Sequence, residues 1–120
     1  MRRIAVAALV FASLVLAPSA SAKSSYCSPT GDYCTSTTRV GGAVLLRLST
    51  FAFSGTVRIC VTDPKAKRAC RPFTLAKRGA MWQVTVRWHR HFPNGGKGLY
   101  RVRFFTQSTQ LGPVLDFRLR

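Results

Sequence analysis

The chain has 120 residues, with 19 lysines and arginines against three acids and a formal net charge of +16. Glutamate is absent, the acids are Asp32, Asp63 and Asp116, and His89 and His91 are the only histidines. Three acids leave little room for paired-carboxylate glycoside chemistry, which needs two acidic groups flanking one bond, and few groups for acid–base catalysis of any kind.

The chain opens as a targeting segment. Arg2 and Arg3 precede an apolar run from Ile4 to Leu16, Pro18 breaks it, and Ala20-Ser21-Ala22 has the small-x-small form of a cleavage site. A spanning helix needs about 20 apolar residues, and this run is shorter, so residues 1–22 are expected to be a cleaved signal peptide; an uncleaved anchor is the other reading. Lys23 to Tyr26 separate the small residues from Cys27, which argues against a lipid anchor. Residues 23–120 are then a single exported domain with no transmembrane span. At this size folding buries about 60–65% of the unfolded surface, and covalent staples help. Arg2 and Arg3 leave with the leader, so the remainder carries 17 cations against three acids, a balance of +14. Such a surface attracts polyanions and repels its own copies. Arg outnumbers Lys 14 to 5, a bias that a GC-rich genome also produces with no ligand involved.

Export places Cys27, Cys34, Cys60 and Cys70 in an oxidising space, where an even count points to disulfides. Of the three pairings, Cys27–Cys34 and Cys60–Cys70 are favoured, because each closes over its own turn signal, Ser28-Pro29-Thr30-Gly31-Asp32 and Asp63-Pro64-Lys65. Loops this short stabilise by about 2–3 kcal/mol each on the chain-entropy model. Zinc is the rival, but neither spacing is that of a zinc knuckle.

In chain order, a weak strand is expected over Tyr33 to Val40. Val44, Leu46 and Leu48 then share one face of a strand, as do Val57, Ile59 and Val61. A second weak strand runs from about Cys70 to Leu75. Trp82, Val84, Val86 and Trp88 align on the next, followed by Tyr100-Arg101-Val102-Arg103-Phe104 and by Leu115 to Arg120. Turn signals at Gly41-Gly42, Ser54-Gly55, Asp63-Pro64, Lys77-Arg78-Gly79, Asn94 to Gly98 and Gly112-Pro113 separate them. Seven strands at this spacing predict an all-β antiparallel sandwich.

The segment Asn94-Gly95-Gly96-Lys97-Gly98-Leu99-Tyr100-Arg101-Val102 resembles the entry to strand F of an immunoglobulin-like β-sandwich, where a Gly-containing turn precedes G-x-Y-x-V. The resemblance implies that Tyr100 returns its hydroxyl to backbone in the preceding turn, with Trp88 or Phe92 beside it. Val102 stands where antibody domains carry their second cysteine, and Ile59 or Val61 where they carry the strand C tryptophan. The likeness is therefore to disulfide-free bacterial and fibronectin-like sandwiches. Tyr26-Cys27-Ser28-Pro29-Thr30-Gly31-Asp32-Tyr33-Cys34 also resembles a segment that follows the signal peptide in small secreted proteins of actinobacterial type. That likeness implies the same fold and no activity.

Asp32 and Asp63 sit in turn contexts and are expected to cap backbone; Asp116 is expected to pair with an arginine. His89 and His91 share one side if they lie on a strand, but no third metal ligand lies nearby, and Arg87 and Arg90 disfavour a cation. No nucleophile elbow and no phosphate loop appear, so neither enzyme, metal, cofactor nor small-molecule substrate is expected. With the topology that the resemblance implies, Arg58, Arg71, Arg101, Arg103, Arg118 and Arg120 would lie outward on one sheet. Cys60 and Cys70 would share that face, Lys65, Lys67 and Arg68 would extend the field at a hairpin tip, and Leu99 and Phe105 would interleave. Such a face suits an anionic partner, a cell-envelope surface or extracellular polymer, through guanidinium forks. It also suits solvated arginines that guard against edge aggregation. The other readings are a secreted ligand or inhibitor presenting disulfide-braced loops to a protein partner, and a cationic antimicrobial or toxin-like protein.

Overall fold

The structure, a computed structural model, describes residues 23–120. The expected signal peptide lies outside the described residues.

Strand β1 is Ser25–Cys27, β2 Tyr33–Val40, β3 Ala43–Thr50, β4 Thr56–Thr62, β5 Arg68–Thr74, β6 Ala76–Arg78 and β7 Met81–Arg87. A single helical turn, α1, covers Trp88–His91, and β8 Gly98–Thr106, β9 Thr109–Gln110 and β10 Leu115–Leu119 follow. They form two antiparallel sheets, one in the order β1-β2-β3-β7-β6 and the other β10-β8-β4-β5, with β9 hairpinned onto β8. The seven longer strands are those the alternating pattern predicts; β1, β6 and β9 are short additions at turns where no periodicity can register.

The two inner faces follow the period-two pattern. Leu46 and Leu48 on β3 sit opposite Val86 and Val84 on β7. Ile59 and Val61 on β4 sit opposite Phe104 and Val102 on β8. These side chains close a core that also takes Val44, Val57, Leu75, Leu111 and Leu115. Each fully buried aliphatic side chain contributes about 1.5–3 kcal/mol relative to exposure.

An aromatic cluster seals one end. Tyr100 is completely buried and stacks on Phe117 with centroids 4.9 Å apart, while Trp88 leans on both at 5.1 and 5.4 Å. Alternation alone extends β7 through Trp88, but pairing with β3 stops at Leu45 opposite Arg87. Beyond that point the chain has no partner strand, and the Phe92 N–H closes a turn onto the Trp88 carbonyl at 2.9 Å. The turn swings the indole inward to Tyr100.

The Tyr100 hydroxyl donates to the Gly96 carbonyl at 2.6 Å and accepts from the Gly95 N–H at 2.9 Å. Asp63, in the β4–β5 turn, accepts from the Lys65 and Lys67 N–H groups at 2.9 and 2.8 Å. Gly95 lies flat against that aspartate, so a Cβ there would meet Asp63 Cβ and Cγ at 2.7 Å. Gly98, at φ +131°, lies equally close to Pro64. The turn before β8 is thus held by the Tyr100 phenol and packed against the distant Asp63-Pro64 turn.

At the other end Tyr33 packs between Tyr26 and Phe53, with centroids 6.1 and 6.5 Å away. Burial pushes the Tyr33 hydroxyl pKa above its ordinary value, and neighbouring Tyr26 adds to the effect.

Two outcomes follow. Tyr100→Phe strands the Gly95 N–H and Gly96 carbonyl and should lower stability by about 1–3 kcal/mol in urea denaturation. Tyr33 titrates higher folded than unfolded, so its contribution is complete below about pH 10 and is lost as pH rises through the folded value. The urea midpoint should fall as pH rises above about 10, and fall less in Tyr33→Phe.

Candidate functional site

The outer face of the β10-β8-β4-β5 sheet can be read from its register, because residues directly opposite on antiparallel strands share a face. Arg58 on β4 lies between Pro72 on β5 and Phe105 on β8. Cys60 lies between Cys70 and Arg103, and Thr62 between Arg68 and Arg101. On β10, Asp116 lies opposite Arg101 and Arg118 opposite Leu99. Arg58, Arg68, Arg101, Arg103 and Arg118 therefore share one outer surface. The outer face of the other sheet carries Arg47, Arg78 and Arg87 among Ser36, Ser49, Gln83 and Thr85, all placed there by the register.

Both disulfides are present, Cys27–Cys34 and Cys60–Cys70. The second staples β4 to β5 at the centre of the arginine face. The Arg68 guanidinium lies across it, donating from Nη2 to Cys60 Sγ at 3.4 Å. It also sits over the Phe105 ring at 5.7 Å, an arrangement worth about 0.5–1 kcal/mol at an exposed site. Beside the hairpin, a hollow of about 280 Å³ is lined by Thr62, Asp63, Pro64, Ala66, Leu99 and Arg101.

Arg71 departs from expectation. It lies opposite Ile59, whose side chain is core, so it belongs to the inner face of β5. Adjacent residues on a strand face opposite sides, and once Cys70 points outward Arg71 cannot. At the edge strand its guanidinium escapes past the sheet and donates from Nη1 to the His91 carbonyl at 3.2 Å. The same parity identifies Arg68, two residues before Cys70, as a face residue in place of a hairpin-tip charge. Cys70 was the signal that could have placed both.

Asp116 makes no ion pair of the expected kind. Its Oδ1 is buried without a hydrogen-bond partner among the described residues, although Arg101 is its cross-strand neighbour. His89 and His91 lie on α1, not on a strand, so a spacing of two turns them away from each other. His91 instead meets the Phe73 ring edge-on at 5.2 Å. Among the described residues no group of three or more His, Cys, Asp or Glu could hold a metal, and no helix is long and apolar enough to cross a membrane.

Neither a protein-family model nor a curated protein matches the chain. Among solved structures, the chain is similar to the Br derivative of BhCBM56, at 14% identity and a TM-score of 0.46. The match covers 80% of this chain and 99% of that one.

Replacing Cys60 and Cys70 together by alanine should lower stability by about 2–3 kcal/mol in denaturant titration. The seven residue pairs of the β4–β5 ladder should hold the register without the bond, with the same amides protected in hydrogen exchange.

Proposed function

We propose that residues 23–120 form an exported, non-enzymatic binding module of the immunoglobulin-like β-sandwich class, whose arginine face docks to an anionic polymer of the cell envelope or extracellular space. The observation that carries this reading is the gathering of Arg58, Arg68, Arg101, Arg103 and Arg118 on one outer surface. The two disulfides fit an extracellular protein. The facing orders β1-β2-β3-β7-β6 and β10-β8-β4-β5 support the immunoglobulin-like reading, as does the Tyr100 bond back to its turn.

The chemistry is that of planar forks presented in rows. Each guanidinium offers paired donors that match two phosphate or carboxylate oxygens. Rows on neighbouring strands stand about 4.8 Å apart and alternate residues along a strand about 6.5–7 Å apart. A flexible chain with an anionic group in every repeat can meet several forks at once. Leu99, Phe105 and Pro72 fill the spaces between the cations with apolar surface, which suits a polymer with an apolar or ring-bearing backbone better than a free ion.

Binding to a phosphate-rich chain releases its condensed counterions, so affinity falls steeply with salt. For five contacts, retention on immobilised polyphosphate should drop about 10²-fold between about 50 and about 200 mM salt. The double variant Arg58→Glu/Arg103→Glu should abolish retention at the lower salt. Arg71→Glu, on the opposite side of the sheet, should reduce it far less. Retention that stays flat across that salt range, or that Arg71→Glu weakens as much as the double variant, would overturn the reading.

A further inference from the structure

Between β2 of one sheet and β10 of the other lies a groove of about 730 Å³, lined by Ser24, Thr37, Thr38, Arg39, Val44, Asp116, Phe117, Arg118 and Arg120. Val44 and Phe117 are core side chains and form its apolar floor. Its lower end is closed by the chain itself. The Thr37 N–H donates to the Ser24 carbonyl at 2.7 Å, and the Asp116 N–H donates to the Lys23 carbonyl at 2.9 Å. Lys23 and Ser24 thus bridge the two sheets as a stub of extended backbone.

Above that stub the two strand edges run on. In a β-ladder the groups turned toward one neighbour belong to alternate residues. Thr37 points its N–H at the stub, so the next residue to present N–H and C=O on that side is Arg39. By the same rule Arg118 follows Asp116. Among the described residues neither edge has a strand partner there, since β1 pairs with β2 only as far as Ser25 opposite Ser36 and β10 pairs only with β8. Past the stub each strand keeps one residue with open backbone groups beside the same apolar floor before it ends, Arg39 on β2 and Arg118 on β10, and both are cationic and exposed.

We infer that this groove is an acceptor for an extended acidic peptide, which would add to β2 in the register that β1 begins and lie against β10 on its other side. Strand addition of this kind takes affinity from main-chain hydrogen bonds and selectivity from alternate side chains. On the floor side, alternate residues of the incoming strand would be small and apolar, to meet Val44 and Phe117. Arg39 shares the face of Val44, and acidic residues of the incoming strand would meet Arg39, Arg118 and Arg120 where these line the groove. Asp116 is the single acid in the groove; its Oδ1, buried without a partner, is an acceptor that a donor on the incoming chain can satisfy. A second copy of this chain is a poor occupant, because its own surface is strongly cationic and like charges repel. The site lies beside the arginine face and shares Asp116 and Arg118 with it, while Arg58, Arg68, Arg101 and Arg103 do not line it.

The probe is a fluorescent alternating Asp–Val peptide of about eight residues, long enough for one strand, added to the full chain and followed by anisotropy and by hydrogen exchange at single amides. The Arg39 and Arg118 amides should exchange freely alone and become protected with peptide. Arg39→Glu should weaken the peptide about tenfold or more, and Arg39→Gln by less. Arg58→Glu/Arg103→Glu should leave it bound, which separates this site from the polymer-binding face. A peptide N-methylated at every residue keeps its charge but offers no N–H to either strand edge, and should not bind. The proposal is overturned if the N-methylated peptide binds as well as the parent, if Arg39→Glu has no effect, or if the peptide does not bind at all. It is equally overturned if the Arg39 and Arg118 amides are already protected without peptide, since the groove then holds the chain's own residues or a second copy.

Discussion

One register governs the exposed chemistry of this protein: Cys60 on β4 stands opposite Cys70 on β5 and Arg103 on β8. Strand side chains alternate with a period of two, so a slip of one residue in either pairing would turn the outward arginines of the slipped strand to the core side. Three constraints resist the slip. The Cys60–Cys70 bond pins β4 to β5. Ile59, Val61, Val102 and Phe104 give β4 and β8 a shared apolar face that must point inward. The Tyr100 hydroxyl then anchors the start of β8 to the turn that precedes it.

The arrangement has an electrostatic cost that bears on function. Five guanidinium groups share one face, and Asp116, the acid placed among them by the register, leaves its Oδ1 without a partner. In water two unit charges a few ångström apart repel by about 1 kcal/mol, less in salt. That is small for each pair and real for the group, so the folded state is one that a bound anion would relieve. Arg68 offsets part of the cost locally by lying over Phe105 and the Cys60 sulfur. The disulfides and the locked turns supply stability against which this repulsion can be tolerated.

The open strand edges follow from the same economy of partners. A sandwich of this size has edges, and edges invite unwanted pairing. Here β5 is guarded by Arg71, which reaches past the sheet to the His91 carbonyl, and by Pro72, which has no N–H to offer. Among the described residues the edge of β10 is covered only at its start, by Lys23. Past that point the guards are charges, Arg118 and Arg120, which repel basic segments while leaving the backbone open to an acidic one.

Much of this was legible in the chain. Alternating apolar residues dictate β3, β4, β7, β8 and β10, because a pleated strand with one wet face leaves no other pattern. The disulfides could be assigned because each pair closes over its own turn, and Gly95 to Tyr100 carries the corner in its spacing. Local pattern could not reveal where a strand loses its neighbour, so Trp88 reads as strand although it turns into a helix where pairing with β3 stops. Nor could it assign sides on β5, a strand too polar to declare its inner face: Arg71 and Arg68 exchanged places until the cross-strand partners of Cys70 and Ile59 were seen. Charge and fold class are properties of residues and their near neighbours, and sequence determines them. Which arginines stand together, and that β2 and β10 leave a groove between them, depends on which distant strands pair; that is decided by packing the whole core.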